Sequence, residues 1–198
     1  MKAIHFFSVC FVSILMTFSI SAYSQPTYKS KYVGQERREI KSLSDQDIAE
    51  LQAGSGWGLA KAAELNGVPG PKHLLEMKEE IKLTPDQVLK IEEIYTLMNK
   101  QAVTLGLELI ELERELNSYF ANLTVDEEIL QDLLEKIAQT YRKLRYVHLS
   151  AHLKTPLILS PEQIKHYNTL RGYSTDDPCD NIPEGHDPEM WKRHNNCP

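Results

Sequence analysis

The feature that most constrains this chain is an unbroken apolar stripe: Val88, Ile91, Tyr95, Met98, Ala102, Leu105, Leu109, Leu112, Leu116 and Tyr119. Its steps alternate between three and four residues throughout, the period of a helix face that must lie along a second long surface. Ile94, Leu97, Leu107 and Ile110 widen the apolar side, while Glu92, Glu93, Lys100, Glu111 and Arg114 stay off it. Thr84-Pro-Asp-Gln87 opens the helix as a capping box with proline at the first helical position. The Thr84 hydroxyl accepts from the N–H near Gln87, and Gln87 reaches back.

A second helix follows the break at Ala121-Asn-Leu123. Thr124-Val-Asp-Glu127 reads as its capping box, and Leu130, Leu134, Ile137, Tyr141, Leu144 and His148 as its stripe. It ends before Pro156, because the residue preceding a proline avoids helical geometry. Two long helices joined by a short loop fold back on each other. The fold class expected is therefore all-α: a long antiparallel helical hairpin with short flanking helices. The apolar face is wider than one hairpin can hide, which predicts a homodimer.

Shorter elements flank the hairpin. Ser44 with Asp47 caps a helix that runs to about Ala53 and stops at Gly54, and Gly54-Ser-Gly-Trp-Gly58 reads as a flexible turn. Leu59 to Asn66 is helical and Gly67 closes it, after which Val68-Pro-Gly-Pro71 turns into a helix through His73 to Ile81. Ser160-Pro-Glu-Gln163 is a third complete capping box, opening a short helix closed by Gly172. The glycine-rich GSGWG stretch lacks the Lys-Ser/Thr and the preceding strand of a phosphate cradle.

The N-terminus carries a positive start at Lys2, an apolar run from Ala3 to Ile20 and small residues at Ser21, Ala22 and Ser24. That is the layout of a secretory signal peptide, cleaved after Ser24 or, alternatively, after Ala22. The chain thus divides into a signal peptide at 1–24, a flexible leader at 25–43, accessory helices at 44–71, a helical domain at 72–172 and an irregular tail at 173–198. The charge is −6, from 22 basic and 28 acidic residues, and loss of Lys2 takes it to −7. That balance argues against a nucleic-acid partner, which needs clustered Lys and Arg.

Cys179 and Cys197 are the two cysteines of the exported portion, and in an oxidising compartment they are expected to pair. The rival is a metal site using His186 and His194 between them, at a spacing, C-x6-H-x7-H-x2-C, that matches no standard zinc pattern. No G-x-S-x-G or H-E-x-x-H occurs, and the sequence reads as a non-enzyme.

Two pentapeptides, Leu83-Thr84-Pro-Asp-Gln87 and Leu159-Ser160-Pro-Glu-Gln163, bracket the hairpin. This arrangement resembles the Spy/CpxP family of periplasmic proteins, named for a repeated LTxxQ motif, across about residues 73–172. The resemblance implies a dimeric helical cradle and a periplasmic, ATP-independent chaperone-like or envelope-stress binding role towards unfolded or partly folded envelope proteins. A regulatory role on a periplasmic sensor domain is a further implication. So is heavy-metal sensing or resistance, as in CnrX- and ZraP-like relatives.

The residues carry the metal reading themselves. His148 and His152 sit one turn apart on one helix face, and His73 and Met77 repeat that spacing before the first motif. Imidazole suits Zn, Cu, Ni or Co, and a thioether adds preference for Cu(I). In the CnrX-like relatives, His-x-x-x-His and His-x-x-x-Met pairs flanking the motif bind metal; here their order is exchanged, and Glu93 is the nearest carboxylate. The plain alternative is that these histidines are satisfied by hydrogen bonds in a packed interface. On that reading no cofactor is required.

Overall fold

The computed structural model describes residues 28–173, 182, 185–194 and 197. The expected signal peptide lies outside them. Residues 28–33 belong to a first compact unit, Met1–Val33, and are exposed; the second unit runs from Gly34 to Pro198. Among the described residues the regular structure is entirely helical: a 3-10 turn at Gln35–Arg37, then α1 (Asp45–Gln52), α2 (Lys61–Glu64), α3 (Pro71–Glu76), α4 (Pro85–Ala121), α5 (Glu127–Lys154), a second 3-10 turn at Thr155–Leu157, α6 (Pro161–Leu170) and α7 (Pro188–His194). No helix among them is long and apolar enough to cross a membrane.

Helices α4 and α5 form the expected antiparallel hairpin. The pairing register is marked by the Thr140 hydroxyl donating to Glu108 at 2.8 Å, and just beyond α5 Gln87 Nε2 donates to the Ile158 carbonyl at 2.8 Å. The capping boxes at Ser44, Thr84 and Ser160 are all complete. The cap of α5 differs from expectation. It is Asp126, not Thr124, and its carboxylate accepts from Ile129 N at 2.8 Å. The reason lies in how α4 ends. Leu123 turns left-handed at φ 55°, with Leu123 N donating to Phe120 O and Thr124 N to Tyr119 O. This double hydrogen bond satisfies the orphan carbonyls of α4 and commits Thr124 to the preceding helix.

All ten residues of the α4 stripe are buried or half-buried, and much of the cover comes from the same chain. Residues 39–71 form a strap laid along the hairpin. Lys41 N donates to Asn117 Oδ1, Asn117 Nδ2 donates to Glu39 O, and the Ser42 hydroxyl donates to Glu113. Further along, Asn99 Nδ2 donates to Ala53 O at 2.9 Å. Ile40, Leu43, Leu51 and Leu59 thereby join Met98, Ala102, Leu109, Ile110, Leu144, Val147 and Ala151 in one core. The expected leader therefore enters the core before residue 44, since Ile40 is fully buried. The expected flexible turn at 54–58 is docked too. Trp57 Nε1 donates to Asp47 at 2.8 Å, and its ring meets Tyr141 edge-on at 6.1 Å.

The close approach of strap and hairpin requires Gly106. A Cβ there would lie 2.4 Å from the Leu51 carbonyl oxygen, so only glycine lets α1 settle on α4. The buried line of α5 is also shifted from the expected one. It runs through Leu133, Thr140, Leu144, Val147, His148, Ala151 and His152, leaving Leu134 and Tyr141 exposed. Thr140 hides this register in the sequence, because its hydroxyl is satisfied inside by Glu108.

A second apolar cluster of Leu74, Ile81, Ile91, Leu159 and Tyr167 closes the end of the hairpin opposite its loop. There the two pentapeptides meet. Gln87 and Gln163 exchange hydrogen bonds, Nε2 to Oε1, at 2.8 and 2.9 Å. Each also caps its own helix and donates to the carbonyl just ahead of the other motif, Gln87 to Ile158 and Gln163 to Lys82. The repeat thus builds a junction with approximate two-fold character.

Candidate functional site

The VPGP turn docks on the C-terminal end of α5. His152 Nδ1 donates to Val68 O at 2.8 Å, and the buried Thr155 hydroxyl donates to Pro69 O at 2.5 Å. Gly70 lies against the His152 ring, where a Cβ would stand 2.7 Å from Nε2. With Pro71 at its first position, α3 then starts beside α5 and carries His73 towards it.

The result is a cavity of about 140 Å³ lined by His73, His148 and His152, together with Met98 and Tyr95 of α4, Glu64 of α2 and the glycine turn 54–56. Three of the four residues singled out for metal binding are therefore brought together. Met77 is not; it packs on the Leu74–Ile91–Tyr167 cluster. The thioether that does line the cavity is Met98, and the carboxylate is Glu64; Glu93 is exposed. Sequence reasoning missed both because Met98 reads as an ordinary member of the apolar stripe and Glu64 lies on a helix of only four residues.

The imidazoles are held in defined states. The Nδ1–H of His152 is used by Val68, so its Nε2 carries the lone pair. His73 Nδ1 bonds the Glu76 carboxylate at 2.8 Å, which directs its Nε2 towards Glu64, 3.6 Å away. Nδ1-to-oxygen bonds of this kind fix tautomer and ring orientation around metals. His148 is 3% exposed, and its buried Nε2 has no hydrogen-bond partner. A buried polar atom without a partner is costly enough to need an explanation. Burial, with His152 beside it, pushes the His148 pKa down to about 4. Burial also lowers that of His152, against the opposing effects of Val68 and Glu64. Both rings are neutral at pH 7 on these grounds.

Burial works to raise the Glu64 pKa, but hydrogen bonds from Tyr173 and Arg171 and the charge of Arg171 outweigh it, and the carboxyl titrates below its ordinary range. Glu64 is thus a committed anion: Arg171 is paired with it, and the Tyr173 hydroxyl donates to it at 2.9 Å. As the side chains stand, no three His, Cys, Asp or Glu among the described residues converge on one point. His148 and His152, one turn apart on α5, both line the cavity.

A larger open groove, about 600 Å³, runs beside the Gln87–Gln163 junction. Its motif side chains, Thr84, Gln87, Ser160 and Gln163, spend their polar atoms on capping and on each other. Its other polar side chains, Glu80, Lys82, Glu162 and His166, are exposed at the surface.

In the tail, Cys197 is disulfide-bonded, and its expected partner Cys179 lies outside the described residues. The expected irregular tail contains α7, started by Asp187, whose carboxylate accepts from Met190 N at 2.8 Å. The His186 ring packs edge-on against Trp191 at 4.9 Å. The Asp-Pro-Glu-Met run was the legible signal for this helix. Comparison of the chain with family models, with curated proteins and with solved structures finds no match.

Proposed function

We propose that this is an exported, Spy/CpxP-like binding protein whose working part is the histidine cavity, and that it takes up a transition-metal ion there. The observation that carries this reading is the unpartnered, buried Nε2 of His148 in the same cavity as two imidazoles whose Nδ1 atoms are already bonded. His148 and His152 would hold the ion, with His73 able to join from α3. A bound ion would supply a partner for the orphaned nitrogen and, if His73 joined, tie α5 to α3. The chain's own residues fit the group: imidazole nitrogen donors, second partners that orient them, and two of the rings buried.

Titration of the mature chain with Zn(II), Cu(I), Ni(II) and Co(II) by calorimetry tests this. The expected result is one site, lost or weakened on the order of 10–100-fold in His148→Ala and His152→Ala. If no ion shows histidine-dependent binding, the proposal is wrong.

A second reading, chaperone-like binding of unfolded clients, draws on exposed Leu89, Leu97, Leu153 and Leu157. The stripe that would serve as a client surface is occupied by the strap, so this reading needs the strap to lift. Failure of the intact protein to delay aggregation of a denatured client at equimolar ratio would remove it.

A further inference from the structure

Resting on that metal reading, we infer that the cavity selects a soft monovalent ion, Cu(I), and that Met98 is its thioether ligand. The register of the hairpin supports the placement. Across it, Glu108 bonds Thr140, which places position 98 opposite 150, within a turn of both His148 and His152. Both side chains are buried, Met98 at 8% exposure and His148 at 3%, and both line the cavity.

Charge decides the class of ion. A divalent cation in this half-buried cavity needs anionic ligands, because poorly compensated charge away from water is disfavoured, and the Lys72 ammonium in the lining adds to the positive charge it would meet. The one carboxylate lining the cavity is Glu64, already held by Arg171 and Tyr173. Imidazole nitrogen and thioether sulfur are neutral. A monovalent soft ion matches that donor set in charge and in softness, whereas Zn(II), Ni(II) and Co(II) match it poorly. Two nitrogens and one sulfur satisfy the low coordination that Cu(I) accepts.

The test combines a spectroscopic and an affinity measurement. X-ray absorption of the reduced Cu(I)-loaded full chain should show nitrogen scatterers together with one sulfur. The sulfur should vanish in Met98→Leu, a substitution that conserves volume and keeps the core filled. Competition against a chromogenic Cu(I) chelator should show Met98→Leu weakened by about tenfold or more. Zn(II) affinity, measured in parallel, should be lower than that for Cu(I) and insensitive to Met98→Leu. Cu(I) bound through His148 and His152 with no sulfur in the spectrum overturns this inference and leaves the metal reading standing. So does a Zn(II) affinity above that for Cu(I). Absence of histidine-dependent binding of any ion overturns both. Because the spectrum of the unmutated protein already decides the ligand, a misfolded variant does not leave the matter open.

Discussion

Leu123 sits in the left-handed region at φ 55° while 90% exposed, so it bears the strain of that conformation without burial in return. A side chain with a Cβ loses roughly 1–2 kcal/mol there. Leu123→Gly should therefore stabilise the protein by about 1 kcal/mol, read as a shift in urea midpoint at unchanged slope, since glycine's greater freedom in the unfolded chain takes back part of the gain. A neutral or destabilising result would mean that the leucine is held by contacts the fold does not show. His148 makes a prediction about pH in the metal-free protein. Its folded pKa is about 4 against an ordinary 6.5. Below 6.5 the unfolded chain takes up a proton that the folded chain refuses. Stability is thus complete above pH 6.5 and declines as the pH falls towards 4, by at most ~1.4 kcal/mol per unit. Denaturant midpoints at pH 7.5, 6 and 5 should show the decline, and His148→Leu should reduce it, with the remainder from His152, whose pKa burial also lowers. An unchanged slope in the variant would place its origin elsewhere.

At the level of elements, the Gln87–Gln163 pair is the joint between the two helical starts. Removing one amide leaves the other without its reciprocal partner and also strips a cap, so Gln87→Ala and Gln163→Ala should each cost roughly 1–3 kcal/mol. The double variant should cost less than the sum, with a coupling on the order of 0.5–3 kcal/mol; strict additivity would show that the two amides act independently. Each capping box was legible from its own four residues, because a cap is a local bargain between a hydroxyl and the next turn. That the two boxes share one joint was not, since no local pattern says where the ends of α4 and α6 meet. The same distinction explains the cap of α5. Thr124 has the right side chain, but the left-handed Leu123 upstream gives its N–H to α4. The cavity was half legible. Spacing placed His148 and His152 on one face, but the strap that supplies Glu64 and the α4 position that supplies Met98 depend on how the elements pack.

The molecule as a whole is a hairpin with its own strap, and Leu51 anchors the strap where it meets Gly106. Replacing Leu51 with aspartate puts an unpaired charge in the core and should release the strap while α4 and α5 keep their capped ends. The expected outcome is increased binding of a hydrophobic dye and concentration-dependent self-association, followed by light scattering, with most of the helical circular dichroism retained. A variant that stays compact and dye-silent would show that the stripe is covered by something other than residues 39–71. The wide apolar face was readable in the sequence; what covers it was not. A polar run with Ile40 and Leu43 in it carries too little periodicity to announce that it packs.

The hairpin is closed at one end by its loop, and at the other Gln87 holds the start of α4 to Ile158 just after α5 and to Gln163 of α6. The turn at 54–56 walls the histidine cavity and is held by Asn99, so whatever settles against His148 meets backbone already docked on α4. That wall runs on through Trp57, whose indole nitrogen is bonded to Asp47, so the cavity and the first helix share one continuous piece of backbone.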